Sequence, residues 1–470
     1  MKLRRLLALS VLAAGVAGLV VLDAGARPRP LLDAATRGAV PVVDEDTTWF
    51  CPGATSGDGP AVVGLEVAAT ASDEVAGRVR ILDDTGAVPE PIDEVAVPGG
   101  GRQAVPIADR STGTWVAGIV ETGPGRALVT QTVAGEAGVE AATCPTTSGD
   151  QWVLPHGATR SALEGERLTL VLTNPFPDDA VLDVDLVSAF GTDTLPALVV
   201  PAGRVVAVDL TDEVPEAADV TAIVRVTAGR LVAGRVQIVD SATERGLVAG
   251  PLVATTATVW AVPDARWLDG RRDRLAVTNP SPSEVAEVDV EVLPDDPDAI
   301  AEPFELSIRP GRTVVLDLAA EKRLVDAGPG ALVVRALGDA GVAVQLDAVR
   351  ALDAGGGLAG GGVADLASRR WSLVVPGGQS TATLTVFNPS ADAVAPVRVR
   401  AGDRVVSSFE LGPGRRSTVD LVEVGFEGGV LTVDADSRVV AVWAAAGPSS
   451  LLGGVGGAER SSALPVAELP

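Results

Sequence analysis

Apolar and polar residues alternate along most of this chain in short runs, each broken by proline, glycine, asparagine or aspartate. In the run Arg204-Val205-Val206-Ala207-Val208-Asp209-Leu210, alternation puts Val206, Val208 and Leu210 on one face and Asp209 on the other. That period of two is the signature of a half-buried strand, and it predicts a solvated Asp209. The last hundred or so residues carry about seven such stretches, near Trp371–Val375, Ala382–Phe387, Val394–Arg400, Val405–Leu411, Ser417–Leu421, Gly429–Asp434 and Val439–Ala444. Seven short strands with turn signals every 8–12 residues are what a two-sheet, immunoglobulin-like sandwich requires. A β-propeller is the alternative. Each unit would then supply nearly two four-stranded blades, and the tail Ala463–Pro470 would echo the Trp-x-x-Pro strand as a closing element.

The stretches are organised by an internal repeat. One copy reads Trp152-Val153-Leu154-Pro155, Leu170-Val171-Leu172-Thr173-Asn174-Pro175, Val184-Asp185-Leu186, Pro201-Ala202-Gly203-Arg204 and Val208-Asp209-Leu210. The next reads Trp260-Ala261-Val262-Pro263, Thr278-Asn279-Pro280, Val288-Asp289-Val290, Pro310-Gly311-Arg312 and Leu316-Asp317-Leu318. The last reads Trp371, Phe387-Asn388-Pro389, Val397-Arg398-Val399, Pro413-Gly414-Arg415 and Val419-Asp420-Leu421. Equivalent tryptophans are 108 and 111 residues apart and equivalent asparagines 105 and 109, so five landmarks recur in fixed order. A diverged first copy keeps Trp49, Leu65–Val67, Val79–Leu82 and the turn Pro98–Arg102 but lacks Asn-Pro and Val-Asp-Leu. The expected organisation is a targeting segment over 1–26, a linker over 27–48, a diverged module over 49–148, and modules over 149–256, 257–367 and 368–470, the last including the C-terminal tail.

The landmarks have local physical readings. The residue before proline is held extended, the missing N–H ends a ladder, and the asparagine side chain can bond a following amide, so each Asn-Pro ends a strand. Pro-Gly and Pro-Ala-Gly before arginine are turn chemistry joining two strands. Trp49, Trp152, Trp260 and Trp371 recur at one register inside apolar strands, which favours core over sugar-stacking platforms.

Composition supports the all-β reading. Hydrophobic residues make up 47% of 470, carried by Val, Ala and Leu, while Tyr is absent and 53 Gly and 33 Pro would interrupt long helices. A chain of this length exceeds a single core. The formal charge is −25 and the only lysines are Lys2 and Lys322, so nucleic acid is not an expected partner.

Lys2, Arg4 and Arg5 precede an uncharged, mostly apolar run from Leu6 to Leu22 that stops at Asp23. It fits either a signal peptide cleaved after Ala24-Gly25-Ala26 or an uncleaved anchor crossing the membrane through residues 6–22. Both place the body outside the cytoplasm, secreted or held by a single span. Cys51 and Cys144 are isolated from any metal-binding spacing and predict one disulfide across the first module.

Candidate chemistry is sparse. His156, the only histidine, falls in a Pro-His-Gly segment read as a turn at a module boundary, and neither Gly-x-Ser-x-Gly nor His-Glu-x-x-His occurs. The glycine-rich stretches Gly355–Gly362 and Gly453–Gly457 lack the Gly-Lys-Ser/Thr of a phosphate loop and read, like Gly246–Gly250, as module-junction loops. Asp83-Asp84, Asp178-Asp179 and Asp295-Asp296-Pro297-Asp298 are oxygen-rich turns whose spacing matches no calcium loop, leaving at most weak calcium binding. No catalytic residue, cofactor or metal is assigned.

At its Asn-Pro, Pro-Gly-Arg and Val-Asp-Leu landmarks the chain resembles an uncharacterised actinobacterial family of secreted or membrane-anchored cell-envelope proteins, a domain-of-unknown-function family. The resemblance covers about residues 45–470 and the apolar segment before them. It implies an envelope location and an association with surface glycan export, and brings no active residues. The expectation is therefore a non-catalytic, membrane-tethered scaffold or binding module for an envelope protein or polysaccharide. A carbohydrate-acting enzyme or carbohydrate-binding protein of the cell surface is the alternative, and a plain spacer the third reading.

Overall fold

A computed structural model describes residues 40–470 apart from 44, 87–92, 161–164, 243, 269, 448–449 and 470. The expected targeting segment over 1–26 and the part of the expected linker up to residue 39 lie outside the described residues. Among the described residues no helix is long and apolar enough to cross a membrane.

The second module shows the common plan. Its eight strands are Gln151–Gly157, Glu166–Asn174, Ala180–Ser188, Gly191–Val200, Arg204–Asp209, Val220–Ala228, Val232–Asp240 and Arg245–Pro251. One sheet runs first, sixth, third, fourth; the other runs eighth, seventh, second, fifth. The third module, from Val259–Val262 to Gly357–Gly360, repeats both orders. So does the first, from Thr47–Thr55 to Gly138–Thr143. In the fourth, from Leu366–Val375 to Leu451–Val455, one long strand, Gly429–Ala446, pairs with Leu366–Val375 in one sheet and Thr381–Phe387 in the other, supplying both the sixth and seventh positions. The two-sheet sandwich is thus the unit, and neither a barrel nor a propeller closes. It keeps the second–fifth and third–sixth neighbours of the constant-type immunoglobulin plan, exchanges the places of the first and seventh strands, and puts the fourth beside the third.

The alternation read from sequence implies one solvated face per sheet, but many strands are buried on both. Leu170 and Leu172 point into the core of the second module, whereas Val171 between them belongs to a core shared with the first. Ala222 and Val224 likewise face their own module and Ile223 faces the third. Trp260 and Val262 fill the third core while Ala261 faces the fourth. Burial on both faces needs near-continuous apolar runs such as Leu170-Val171-Leu172.

These shared cores reflect modules packed in cyclic order. Thr173 Oγ1 donates to Pro52 O at 2.8 Å between the second and first modules. Arg416 Nε and Nη2 bond Asp295 at 2.8 and 3.0 Å between the fourth and third. Arg126 Nη2 meets Glu459 Oε1 at 2.6 Å between the first and fourth. A short N-terminal strand, Val40–Val42, runs parallel to Gly457–Glu459, which itself pairs with Trp371 and Ser372 of the last module. The tail residues Leu464–Pro465 pair with Ala367 and Leu366.

The eighth strands of all four modules converge on a cavity of about 40 Å³ lined by Glu140, Ala249, Gly360 and Gly453, among others. The glycine-rich stretches expected to be junction loops are in fact these strands, Gly357–Gly360 and Leu451–Val455, and the strand Arg245–Pro251 contains Gly246–Gly250. The reason is backbone proximity. A Cβ on Gly246 would lie 2.4 Å from Leu358 Cβ, one on Gly357 2.6 Å from Leu451 Cβ, and one on Gly362 2.6 Å from Val442 Cγ1. Glycine here marks close approach of strands.

Candidate functional site

The most concentrated buried chemistry lies where the second module meets the third. His156 is not in a turn; it stands near the end of the strand Gln151–Gly157, 3% exposed, because that strand continues through Pro155 beneath the neighbouring module. Its Nδ1 lies 2.5 Å from Asp347 Oδ2 and its Nε2 3.1 Å from Asp219 Oδ1. Arg235, fully buried in the seventh strand, donates from Nη2 to Asp347 Oδ1 at 2.8 Å and from Nη1 to His156 O at 2.5 Å. Gln345 Nε2 completes the set, donating to His156 O at 2.9 Å and Asp347 Oδ1 at 2.8 Å.

Burial disfavours charge on His156, yet its bonds to Asp219 and Asp347 outweigh that cost and raise its pKa above the ordinary histidine value. Burial also pushes the Asp347 carboxyl up, but Arg235 and His156 hold it well below the usual carboxylate range. Carboxylates against both ring nitrogens favour the protonated imidazole, which can donate to each. Asp219, its side chain 61% exposed, is the solvent-facing end of this network, and both ring nitrogens are engaged by carboxylates, so neither is placed as a free general base. Asp347 lies 191 residues from His156, and Arg235 interrupts the apolar strand Val232–Asp240. An arginine within such a strand is the one readable signal; its partner belongs to another module.

The repeat landmarks serve the fold. Asn174 Nδ2 donates to Asp178 O and Val200 O at 2.8 and 2.9 Å, while its Oδ1 accepts from Phe176 N at 3.0 Å. Asn279 does the same with Glu284 O, Ile308 O and Ser281 N at 2.7, 2.9 and 3.1 Å. Asn388 bonds Ala393 O and Leu411 O at 2.7 and 3.1 Å and accepts from Ser390 N at 3.2 Å. Each side chain closes its own turn, so the three do not gather around one ligand. Asp209, Asp317 and Asp420 accept from Thr211 N, Ala319 N and Val422 N at 2.9, 3.2 and 2.9 Å, capping the turn after the fifth strand.

Trp49, Trp152, Trp260 and Trp371 are at most 1% exposed and fill the four cores. Trp260 Nε1 donates to Val342 O at 2.8 Å and Trp371 Nε1 to Val439 O at 2.7 Å. Cys51 and Cys144 form the expected disulfide.

The aspartate turns are committed elsewhere. Asp83 accepts from Thr85 Oγ1, Ser111 Oγ, Gly86 N and Thr85 N at 2.8, 2.8, 2.8 and 3.0 Å, which together lower its pKa against burial. Asp179 Oδ1 accepts from Ala202 N at 2.9 Å, and Asp295 is held by Arg416. Among the described residues no group of three or more His, Cys, Asp or Glu is placed to hold a metal ion.

Open grooves lie away from the buried network. One of about 790 Å³ on the first module is lined by Asp46, Arg78, Glu94 and Glu121. Another of about 340 Å³ on the fourth is lined by Arg398, Ser408, Phe409 and Asp434.

Residues 120–266 match DUF5719, a family of unknown function. The match starts in the sixth strand of the first module, spans the whole second module and ends just after the first strand of the third. It therefore contains His156 and Arg235 but not Asp347. No curated protein matches the chain.

Proposed function

We propose that this protein is a non-catalytic, extracytoplasmic component of the cell envelope, tethered to the membrane through residues 6–22, whose four-module body binds an envelope protein or polysaccharide. The observation that carries this reading is the state of the only histidine. His156 is locked between two carboxylates at a module junction, so histidine-dependent hydrolysis has no free base. The landmark polar groups are likewise consumed in turns, which leaves the outer sheet faces and grooves for recognition. The buried disulfide fits an oxidising compartment. The basic residues ahead of the apolar run fit export of the body.

The test combines fractionation with capture. The full chain is expected in the membrane fraction, accessible to protease from outside, and to retain a specific envelope protein or glycan on cross-linking. Processed protein found only in the medium would remove the tether; a cytoplasmic, reduced protein would overturn the reading. The enzyme alternative has one observation in its favour, the carboxylates Asp46, Glu94 and Glu121 lining the 790 Å³ groove of the first module. Glycan turnover abolished by Glu121→Gln or Glu94→Gln would promote it.

A further inference from the structure

In each module the segment just beyond the eighth strand returns to the residue that follows the landmark tryptophan. Phe50 N donates to Pro145 O at 2.8 Å in the first. Val153 and Val253 exchange backbone bonds in the second, as Ala261 and Ala364 do in the third, and in the fourth Ser372 pairs with Gly457. In the first three modules this segment runs on into the next module, whose first strand begins at Gln151, Val259 or Leu366. Three junctions of the cycle are therefore crossed by continuous chain.

The junction between the fourth and first modules is closed differently. There the segment Gly457–Glu459 turns into the tail, whose Leu464–Pro465 go back to Ala367 and Leu366. Its other edge is taken by Val40–Val42, after which the chain enters the first strand of the first module at Thr47. Val40 and Val42, 1% and 4% exposed, belong to the first core, which Val374 of the fourth module also joins. A Cβ on Gly457 would lie 2.5 Å from Val42 Cγ2 and 2.9 Å from Leu128 Cδ1, so this strand and both modules meet at one point. Arg460 N donates to Val42 O at 3.1 Å, and Glu459, in register with Val42, reaches Arg126 of the first module.

We propose that Val40–Val42 is a releasable clasp, and that the cycle of modules opens at the seam between the fourth and the first when this strand detaches. The strand does without a covalent bond what the connecting segments do at the other three junctions. It is three residues long and is anchored by the buried Val40 and Val42, so it is the kind of element that opens locally while the sandwiches stay folded. Addition of a strand to an open edge is main-chain recognition, which is undone and remade without unfolding either side. Detachment uncovers the edge of Gly457–Glu459 and the apolar side chains of the seam. With the tether proposed above, load on the anchor reaches the body through this strand first; the clasp itself does not rest on that tether and is tested in solution.

The experiment is amide hydrogen exchange, with small-angle scattering, on the full chain and its Val40→Asp/Val42→Asp variant. Exchange is expected to rise about tenfold or more at Gly457–Glu459 and in Ala127–Gly135 and Leu366–Val375, which meet across the seam, with a larger radius of gyration. Gln151–Gly157 and Ala343–Arg350, at the junction of the second and third modules, are expected to exchange as in the parent. An added peptide with the sequence of residues 37–46 is expected to restore protection, and the same peptide with aspartate at both valine positions is not. Unchanged exchange, a rise confined to Gly457–Glu459 at constant radius, an equal rise at the second–third junction, or failure of the parent-sequence peptide to rescue would overturn the proposal. So would protection in the parent that depends on protein concentration, which would place the strand of one copy on another. If the variant does not fold, exchange of the parent in rising urea decides: the seam segments must open together before the second–third junction does, and simultaneous opening would refute the clasp.

Discussion

His156 Nδ1 and Asp347 Oδ2, 191 residues apart in the chain, face each other at 2.5 Å across the boundary between the second and third modules. The contact joins two sheets that belong to different sandwiches. Its energetics therefore report on how the modules hold together.

Stability of this junction depends on pH in a determined direction. The folded pKa of His156 is raised, so its contribution is fully present below about 6.5 and is lost as pH rises through the folded value. Asp219, lowered mainly by its bond to His156, and Asp347 act oppositely, contributing above about 3.8 and losing it as pH falls through their folded values. Arg235 and Gln345 face the same pair, and Arg274 and Arg160 lie close enough to Asp219 to favour its charge. Asp273, which burial pushes up to about 6 against the pull of Arg271, also loses stability with rising pH, but lower on the scale. Above about pH 7 the His156 contribution is thus isolated from the carboxylates. Urea midpoints are expected to fall in the parent as pH rises above about 7, through the raised folded value of His156, and to stay flat in His156→Gln. An equal fall in both would contradict the assignment.

Removing one member of the network exposes the cost of the others. Asp347→Ala leaves buried Arg235 and His156 without their shared anion and is expected to destabilise by about 3–5 kcal/mol. Replacing His156, Arg235 and Asp347 together with leucine or methionine is expected to recover most of that loss, because no charge then remains buried unpaired. Chemical denaturation of the single and triple variants measures both. A triple variant worse than the single one would mean that the network contributes net stability.

The three asparagines make a matched set. Asn279→Asp keeps the acceptor for Ser281 N but removes both donors to Glu284 O and Ile308 O. With two buried carbonyls left to an added charge, a loss of about 2–3 kcal/mol is expected. Asn174→Asp and Asn388→Asp are expected to lose similar amounts, because their bonds are equivalent. A spread wider than the measurement error would show that the repeat's turns differ in ways their geometry conceals.

Much of this fold is legible in the chain and the remainder is not, for a physical reason. Turn and strand chemistry is local, so Asn-Pro, Pro-Gly-Arg and the period-two runs are enough to locate most strands of the fourth module. The disulfide between Cys51 and Cys144 is legible because the chain carries a single isolated pair of cysteines. What local patterning cannot carry is the packing of one module on another. Alternation alone gives Val171 and Ile223 no second core to face, because the modules that cover them lie far away in the chain. Gly357 and Gly453 read as loop residues because a strand with glycine looks like a linker until another backbone occupies the space. His156 reads as part of a turn because Asp347, its reason for burial, lies in the next module.

The convergence of the eighth strands predicts two distinct glycine phenotypes. Gly246 lacks a positive φ, but a Cβ there would lie 2.4 Å from both Leu358 N and Leu358 Cβ. Gly246→Ala is therefore expected to push the second and third modules apart at a cost of about 1–3 kcal/mol, as overpacking does. Gly203 has φ 69° with nothing within 4 Å of its Cβ position, so Gly203→Ala is strained without collision and is expected to cost about 1–2 kcal/mol. Hydrogen exchange separates them: Gly246→Ala should raise exchange in both Arg245–Pro251 and Gly357–Gly360, Gly203→Ala only around its own turn. Identical exchange maps would argue against backbone proximity as the reason for glycine at the hub.

Cys51 and Cys144, 1% and 0% exposed, staple the first strand of the first module to the segment just beyond its eighth. Beside the disulfide, Phe50 N donates to Pro145 O at 2.8 Å. The second module makes the same kind of contact by backbone alone, Val153 and Val253 exchanging bonds of 2.7 and 2.9 Å. The cross-link thus reinforces a contact of the common plan in the module that lacks the Asn-Pro landmark. Closing a loop with a sequence separation of 93 is worth about 4.6 kcal/mol in the chain-entropy model. Cys51→Ala/Cys144→Ala is expected to lower the unfolding free energy of the first module by about that amount, with the other modules affected only through their shared cores. Because both sulfurs are buried, reductant in native buffer should release thiols only as fast as the module opens, and denaturant should accelerate the reaction steeply. Immediate reduction of the folded protein would mean that the first strand detaches easily, contrary to its place between the first core and the strands of the second module.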